Sequence, residues 1–310
     1  MPYRFKPKES VPEGLKRIAA ERMDKAIAQL TQPEDEAKAV HNARKRFKQV
    51  RAVLRLAKAE LGQTYQREND CFRDLGHRLS DIRDAQVRLN TLDSLSEHYA
   101  IATDAFADIR TALEAYYQST RQFVVAEENA IAAALPKLKA ARERVAGWPI
   151  EANGWKALSG FERAYQRGQN AFKQAIKHPE AENWHDWRKR VKDLWYHTKI
   201  LKPVWPGMMT ALANELSDLS DLLGDDHDLV GLREFILSRP KRLKECDQQD
   251  ALLALIDRRQ QELRTEAQKL GQRLYVEKPK RFDKRTKAYW QIWRQQAQPA
   301  AEPKRELVLQ

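Results

Sequence analysis

Two segments of the chain carry the same set of side chains that could bind phosphate. Residues 40–50 read VHNARKRFKQV and residues 184–194 read WHDWRKRVKDL, at an offset of 144 residues. The residues that recur are His41, Arg44, Lys45, Arg46 and Lys48 in the first segment, and His185, Arg188, Lys189, Arg190 and Lys192 in the second. Guanidinium and ammonium groups donate charge-assisted hydrogen bonds to phosphate oxygens, and an imidazole can donate one more. The pattern therefore predicts a surface for a phosphate-rich anion.

The helical wheel places His41, Arg44 and Lys48 on one face of the first segment. It places His185, Arg188 and Lys192 on one face of the second. At about 100° per residue, Arg51 and Arg55 fall with the first set and Lys199 falls with the second, while apolar residues occupy the opposite side. Between His41 and Ala59 there are seven Lys or Arg residues and no acid. Like charges at i, i+4 repel, and a purely structural surface helix normally carries acidic partners at that spacing. A functional anion surface is therefore favoured over an ordinary solvated face.

A second set of repeated residues is acidic and follows each basic segment at the same offset. Its members are Asp74, Asp81 and Asp84 in the first half, and Asp218, Asp225 and Asp228 in the second. These carboxylates could orient the Arg and Lys side chains of the neighbouring helix. They could instead bind a divalent cation, because clustered oxygens suit hard cations. The orienting role is the favoured interpretation, and we predict no dedicated metal site.

The chain as a whole reads as all-α. Good helix formers dominate and there are 11 glycines in 310 residues. The two repeated segments indicate a tandem duplication, with a boundary at residues 147–149, Gly-Trp-Pro. We therefore predict a first helical half over 1–147, a second over 148–298 and a disordered tail over 299–310. The expected helices cover about 10–30, 34–61, 64–96, 103–127, 128–145, 154–177, 181–202, 207–237, 247–275 and 284–296.

Charge and composition limit the classes of partner. The chain carries 56 Lys plus Arg against 44 Asp plus Glu, a net charge of +12, so nucleic acid, anionic membrane and inorganic polyphosphate are natural partners. The sequence contains no run of about 18 apolar residues, so it predicts no membrane span. The N-terminus does not resemble a signal peptide. Two isolated cysteines, Cys71 and Cys246, fit a reducing compartment. We expect a cytoplasmic protein that does not use the membrane.

The sequence shows no established catalytic motif. There is no glycine-rich phosphate loop, no nucleophile elbow and no H-E-x-x-H pair. We expect a binding protein rather than an enzyme, with no catalytic residues and no cofactor. Mg²⁺ or Ca²⁺ is expected only as a counterion of a bound polyanion.

At this point the residues resemble a known family, the CHAD domain (conserved histidine α-helical domain), over roughly 8–295. Each half also carries a segment of the type L-x-x-x-L-x-D-x-x-D. The motifs that carry the resemblance are His41-x-x-Arg44-x-x-x-Lys48-x-x-Arg51 and His185-x-x-Arg188-x-x-x-Lys192-x-x-x-Tyr196. The resemblance implies two antiparallel four-helix bundles related by a pseudo-twofold axis, with their basic helices facing a central groove or pore. It also implies binding of inorganic polyphosphate and association with polyphosphate granules.

The chain departs from the family pattern in one respect. The first motif usually carries adjacent arginines, where this chain has Lys48-Gln49, and the second motif has Lys192-Asp193. Arg binds phosphate with a bidentate fork that Lys lacks. This difference bears on the affinity for phosphate rather than on the class of ligand.

These observations together predict a groove with two cationic walls. Lys45 and Lys189 are also expected to contact the anion. One wall consists of Arg17, His41, Arg44, Lys48, Arg51 and Arg55, and the other of Arg163, His185, Arg188, Lys192 and Lys199. Three alternatives stay open: a nucleic-acid-binding module, a metal-dependent phosphohydrolase that uses the face of Asp218 to Asp228, and a scaffold for an acidic protein. Other phosphate-rich polyanions also remain candidate ligands.

Overall fold

The computed structural model describes the backbone of residues 3–31, 33, 36–78, 81–102, 104–125, 128–238 and 247–297. Side chains in these ranges are described except at 36–37, 78, 81–83, 121–125, 128–130 and 247. Throughout these ranges the only regular elements are helices, as the sequence predicted. The predicted tail over 299–310 lies outside the described residues.

The first half of the chain forms seven helices in its described part. They are α1 (Val11–Thr31), α2 (Glu36–Leu56), α3 (Lys58–Leu61), α4 (Gln63–Arg78), α5 (Asp81–His98), α6 (Ala107–Val125) and α7 (Glu128–Arg144). One helix is predicted over 64–96, and the structure has two there, α4 and α5. Residues 79–80 between them lie outside the described residues.

The second half forms five longer helices in its described part. They are α8 (Gly160–Lys177), α9 (Ala181–Ile200), α10 (Pro206–Ser238), α11 (Asp247–Leu274) and α12 (Pro279–Gln296). Helix α12 begins five residues before the predicted position, because Lys278 is extended and Pro279 takes the first helical turn, where its fixed φ is favourable. Helix α12 docks on the main core through Trp290, which is buried.

Helix packing groups these elements into two four-helix bundles. Helices α1, α2, α4 and α7 contact one another in a ring, and α8, α9, α10 and α11 form a second ring. A main apolar core runs through both bundles and includes Phe47 from α2 and Trp187 from α9. A second apolar cluster joins α5 and α6 to the far parts of α10 and α11. The internal duplication itself stays a prediction.

The two helices that carry the repeated basic segments are direct neighbours. His197 Nε2 on α9 lies 2.8 Å from the carbonyl oxygen of Ala52 on α2, and because a carbonyl only accepts, this nitrogen carries the proton. Burial lowers the pKa of His197 to about 4, so the ring is neutral. The extended N-terminal segment crosses both helices: the Tyr3 hydroxyl donates to the carbonyl oxygen of Gln49, and the Phe5 amide donates to that of Ile200.

The junction between the bundles requires a glycine. Gly160 at the start of α8 lies so close to the backbone of Arg55 and Leu56 at the end of α2 that a Cβ there would overlap it. Backbone atoms cannot move aside as a flexible side chain can. By contrast, nothing lies within 4 Å of a Cβ built on Gly76, which is inside α4.

We expect Gly160→Ala to destabilise the protein by about 1–3 kcal/mol through this overlap. The matched control Gly76→Ala should instead stabilise it by about 0.5–1 kcal/mol, because alanine favours the helix. Urea unfolding followed by circular dichroism measures both free energies. Equal effects of the two substitutions would contradict the close contact between α8 and α2.

Candidate polyanion-binding site

Four arginines from three helices gather around one carboxylate where α2 crosses α9. Arg55 of α2 donates to Asp193 Oδ1 of α9 at 2.8 Å, and Arg190 of α9 lies 3.9 Å from the other carboxylate oxygen. Arg167 of α8 is within electrostatic range of Asp193, Arg190 and Arg55. Arg51 completes the group through its proximity to Arg55 and Asp193. We call Arg51, Arg55, Arg167 and Arg190 the arginine cluster.

Positive charge exceeds negative charge within this cluster. Burial, followed by the charge of the neighbouring Arg55, lowers the pKa of Arg51 to about 10. The pKa of Arg167 is also lowered, first by burial and then by Arg190. Both groups stay protonated at neutral pH. Besides Asp193, the half-buried Asp186 pairs with Arg190 at 2.9 Å, so the cluster retains a net positive charge.

The arginine side chains are held in place before any ligand binds. Arg51 Nε donates to Asn69 Oδ1 of α4 at 3.1 Å. Arg55 and Arg190 are fixed by Asp193, whose side chain is only 11% exposed. A guanidinium offers five N–H donors, so each arginine retains donors after these contacts. Preorganised donors of this kind favour anion binding because less side-chain entropy is lost when the ligand arrives.

A group of lysines lies at the other end of the α2–α9 contact. The Lys199 ammonium sits 4.1 Å from the centre of the Trp195 ring, an attractive cation–π contact. The pKa of Lys199 is lowered by burial, then by the nearby charges of Lys45 and Lys202. Lys45 of α2 and Lys199 of α9 thus bring positive charge together at this end of the contact.

The start of α9 packs its basic residues on α10. The guanidinium of Arg188 lies over Gly224, with its Nε 3.6 Å from a Cβ built there. Asp225 follows on α10, and burial and the charge of Asp228 raise its pKa, while Arg259 and Arg188 lower it. The ring of His185 stacks on His227 with centroids 4.1 Å apart. This part of the site therefore joins cations of α9 to carboxylates of α10.

The other predicted binding residues lie on the expected helices in differing surroundings. Arg17 on α1 forms ion pairs with Glu9 and Glu21, so its charge is already balanced, and Arg163 is exposed on α8. Lys189 lies 3.5 Å from Asp186. The remaining members are the half-buried His41, Arg44 and Lys192 and the exposed Lys48. Their role in binding stays a prediction.

The predicted orienting carboxylates are not equivalent. Asp225 lies near Arg188, as an orienting role requires. Asp74 instead pairs with Arg73 on its own helix, and Asp84 and Asp218 are exposed. Asp228 is half-buried next to Asp225. The side chain of Asp81 lies outside the described residues.

Two carboxylates that the sequence hypothesis did not assign are more deeply buried. Asp193 is the centre of the arginine cluster. Asp226 is 2% exposed and accepts hydrogen bonds from Arg264 and Gln260 of α11, an arrangement that anchors α11 to α10. The sequence signal for Asp193 was its place inside an otherwise basic segment.

The described part of the chain contains neither a cluster of metal ligands nor a helix that could span a membrane. No group of three or more His, Cys, Asp or Glu side chains there is arranged to hold a metal ion. No helix within the same residues combines the length and apolar character needed to cross a membrane.

We expect Asp193→Asn to lower the free energy of unfolding by about 2 kcal/mol at low salt, because it leaves half-buried guanidiniums without their counter-charge. Added sulfate should restore much of that loss by replacing the negative charge. Urea unfolding with and without sulfate measures both effects.

The control is Asp186→Asn. Asp186 also contacts Arg190, but its side chain is 39% exposed, so its loss should cost at most about 1 kcal/mol. If the two variants lost equal stability and neither responded to sulfate, Asp193 would not be the counter-charge of the cluster.

Comparison with known proteins agrees with this architecture. The model of the CHAD domain family matches residues 17–237. The crystal structure of the CHAD domain from the plant Ricinus communis superposes with a TM-score of 0.63 at 18% identity, covering 90% of this chain and 98% of that one. PptA from Streptomyces chartreusis superposes with a TM-score of 0.56 at 14% identity, covering 87% and 100%. At these identities the likeness is one of fold. No curated protein sequence matches the chain.

Proposed function

The chain belongs to the CHAD domain family, and from this premise we propose that it binds inorganic polyphosphate without transforming it chemically. Some members of the family bind polyphosphate, and the family is generally one of binding modules. The proposed ligand lies along the basic faces of α2 and α9, in a groove lined by residues of both bundles. Association with polyphosphate granules in the cytoplasm is part of the proposal.

The observation that carries the proposal is the arginine cluster. Four guanidiniums from α2, α8 and α9 share Asp193 and the more exposed Asp186 as their nearby acids. Partial burial of Arg51 is unfavourable while its charge is incompletely balanced. A phosphate chain would balance these charges and accept several charge-assisted hydrogen bonds at once.

The shape of the basic surface supports a linear anion. The face of α2 from His41 to Arg55 extends over about 21 Å at 1.5 Å per residue, and the face of α9 from His185 to Lys199 has the same length. Because α2 and α9 are neighbours, the two faces together offer an extended row of donors. Mg²⁺ or Ca²⁺ would enter only with the anion, as its counterion.

The aromatic residues favour polyphosphate over nucleic acid. Trp184, Trp187 and Trp290 are at most 4% exposed and belong to the core. The face of Trp195 is covered by Lys199. Binding of single-stranded nucleic acid without sequence preference relies on aromatic rings on which bases stack. A polyphosphate has no bases, so it needs only the cationic groups that this surface supplies.

We expect labelled long-chain polyphosphate to resist competition by single-stranded RNA, duplex DNA and pyrophosphate by well over tenfold at equal phosphate concentration. The variant Arg44→Ala/Arg188→Ala should lose more than tenfold in affinity. It should also show a shallower dependence of log K on log salt concentration, because fewer counterions are released from the ligand. A salt-titrated competition assay measures all of these quantities.

The matched control is Lys280→Ala/Lys284→Ala, which removes the same charge from two exposed positions of α12. This control should bind within about twofold of the wild type, since distant surface charges are screened at physiological salt. Equal competition by RNA or DNA would favour the nucleic-acid alternative. Equal losses in the two double variants would mean that only net charge matters.

A further inference from the structure

Two histidines lie side by side at the start of the basic face of α9, where α9 packs on α10. His185 on α9 and His227 on α10 stack with ring centroids 4.1 Å apart and planes inclined by 32°. Both residues are half-buried. The Nδ1 atom of His185 is buried and makes no hydrogen bond to any described atom. Arg188 and Lys189 lie close to both rings.

Both imidazoles are neutral at neutral pH. Burial lowers the pKa of His185, and the charges of Lys189 and Arg188 lower it further. Burial first, and then His185, Arg188 and Lys189, together lower the pKa of His227 to about 4. Two neutral rings therefore sit beside cations that oppose their protonation.

Charged groups on all sides of the pair enter this balance. On α9, Asp186 and Glu182 act against the cations and raise the pKa of His185. On α10, Asp226 and Asp228 flank His227 in sequence, and Asp225 is close to Arg188. From α11, Arg259 faces Asp225, and Arg264 pairs with Asp226. Asp186 in turn pairs with Arg190. Part of the negative charge around the two rings is therefore balanced by arginines, and the pKa of each ring is lowered by burial and by the nearby cations.

A polyanion bound at Arg188 and Lys189 would reverse this balance. Its negative charge would offset the repulsion from both cations, and its oxygens would accept hydrogen bonds from a protonated ring. Because the rings stack at 4.1 Å, protonation of one opposes protonation of the other. The pair should therefore take up no more than one proton.

We propose that His185 and His227 form a proton-accepting anion-binding pair, which takes one proton from solvent when a phosphate chain binds beside Arg188 and Lys189. The transferred proton adds to a ring nitrogen, and the resulting N–H donates to a phosphate oxygen. This inference rests on the proposed function and assigns to it a binding residue, His227, that the repeated motifs do not contain.

The direction of the pH effect follows from linkage. If the anion raises the pKa of the pair, the complex binds more protons than the free protein does, so affinity rises as pH falls. With one proton, the affinity changes by at most tenfold per pH unit. The gain should be absent at high pH, where the pair is neutral in both states.

The test is the binding of labelled long-chain polyphosphate to the full chain between pH 5 and pH 8 at constant ionic strength. Calorimetry in buffers of different ionisation enthalpy gives the number of protons taken up. We expect the affinity of the wild type to rise about tenfold between pH 7.5 and pH 5.5, with an uptake approaching one proton. His227→Gln should abolish most of this gain, and His227→Lys, which is permanently charged, should bind tightly with little pH dependence.

The control is His178→Gln, because His178 is exposed at the end of α8 and away from the pair in sequence. Any change in affinity that comes from titration of the ligand itself should be the same in every variant. Circular dichroism establishes that each variant is folded. If His227→Gln and the wild type showed the same pH dependence, or if no proton were taken up, the histidine pair would not bind the anion. Binding of polyphosphate with no such pH effect would leave the proposed function standing. If the wild type bound no polyphosphate at any pH, both proposals would fail.

Discussion

The ion pair between Arg55 and Asp193 is the interaction on which the rest of the site depends. It joins α2 to α9 at 2.8 Å and therefore connects the two bundles through their basic helices. The same carboxylate also holds Arg190 and lies near Arg51 and Arg167. One buried acid makes it feasible to keep four guanidiniums close together without a ligand. It does not balance them fully, and the remaining charge is what a polyanion would bind.

The packing of the bundles determines where that charge can be presented. The main core runs through both bundles, and the second apolar cluster joins α5 and α6 to the far ends of α10 and α11. Apolar contacts thus fix the helices at both ends of the molecule. The cations of α2 and α9 repel one another, so they do not hold each other in place. The packing of the helices positions them instead. Direct contacts such as that of His197 on α9 with the carbonyl oxygen of Ala52 on α2 keep these two helices near enough for one carboxylate to reach arginines of both.

The fold was largely predictable from sequence, because its signals are local. Helix formers, proline and glycine positions and amphipathic periodicity predicted nearly every helix, and the early start of α12 differed because Pro279 favours the first helical turn. The basic faces of α2 and α9 followed from the recurrence of Arg44 and Arg188 at one offset. The contacts between helices could not be predicted from the sequence. Asp193 departs from an otherwise basic motif, and only the structure places Arg55 opposite it.

His227 shows the same limit. It is a single histidine within an acidic stretch of α10, and only the packing of α10 on α9 brings it onto His185. Arg167 likewise lies outside both repeated motifs, and the crossing of α8 with α9 brings it to the cluster. Residues that act through contacts between helices leave no periodic signal in the sequence.

A crystal structure of the protein with polyphosphate bound tests the central claim most directly. We expect phosphate density within hydrogen-bonding distance of guanidiniums on both α2 and α9, including that of Arg51 or Arg55. Density that contacted only exposed lysines, such as those of α12, would contradict it, because the anion would then be held by surface charge and not by the convergence of the two bundles.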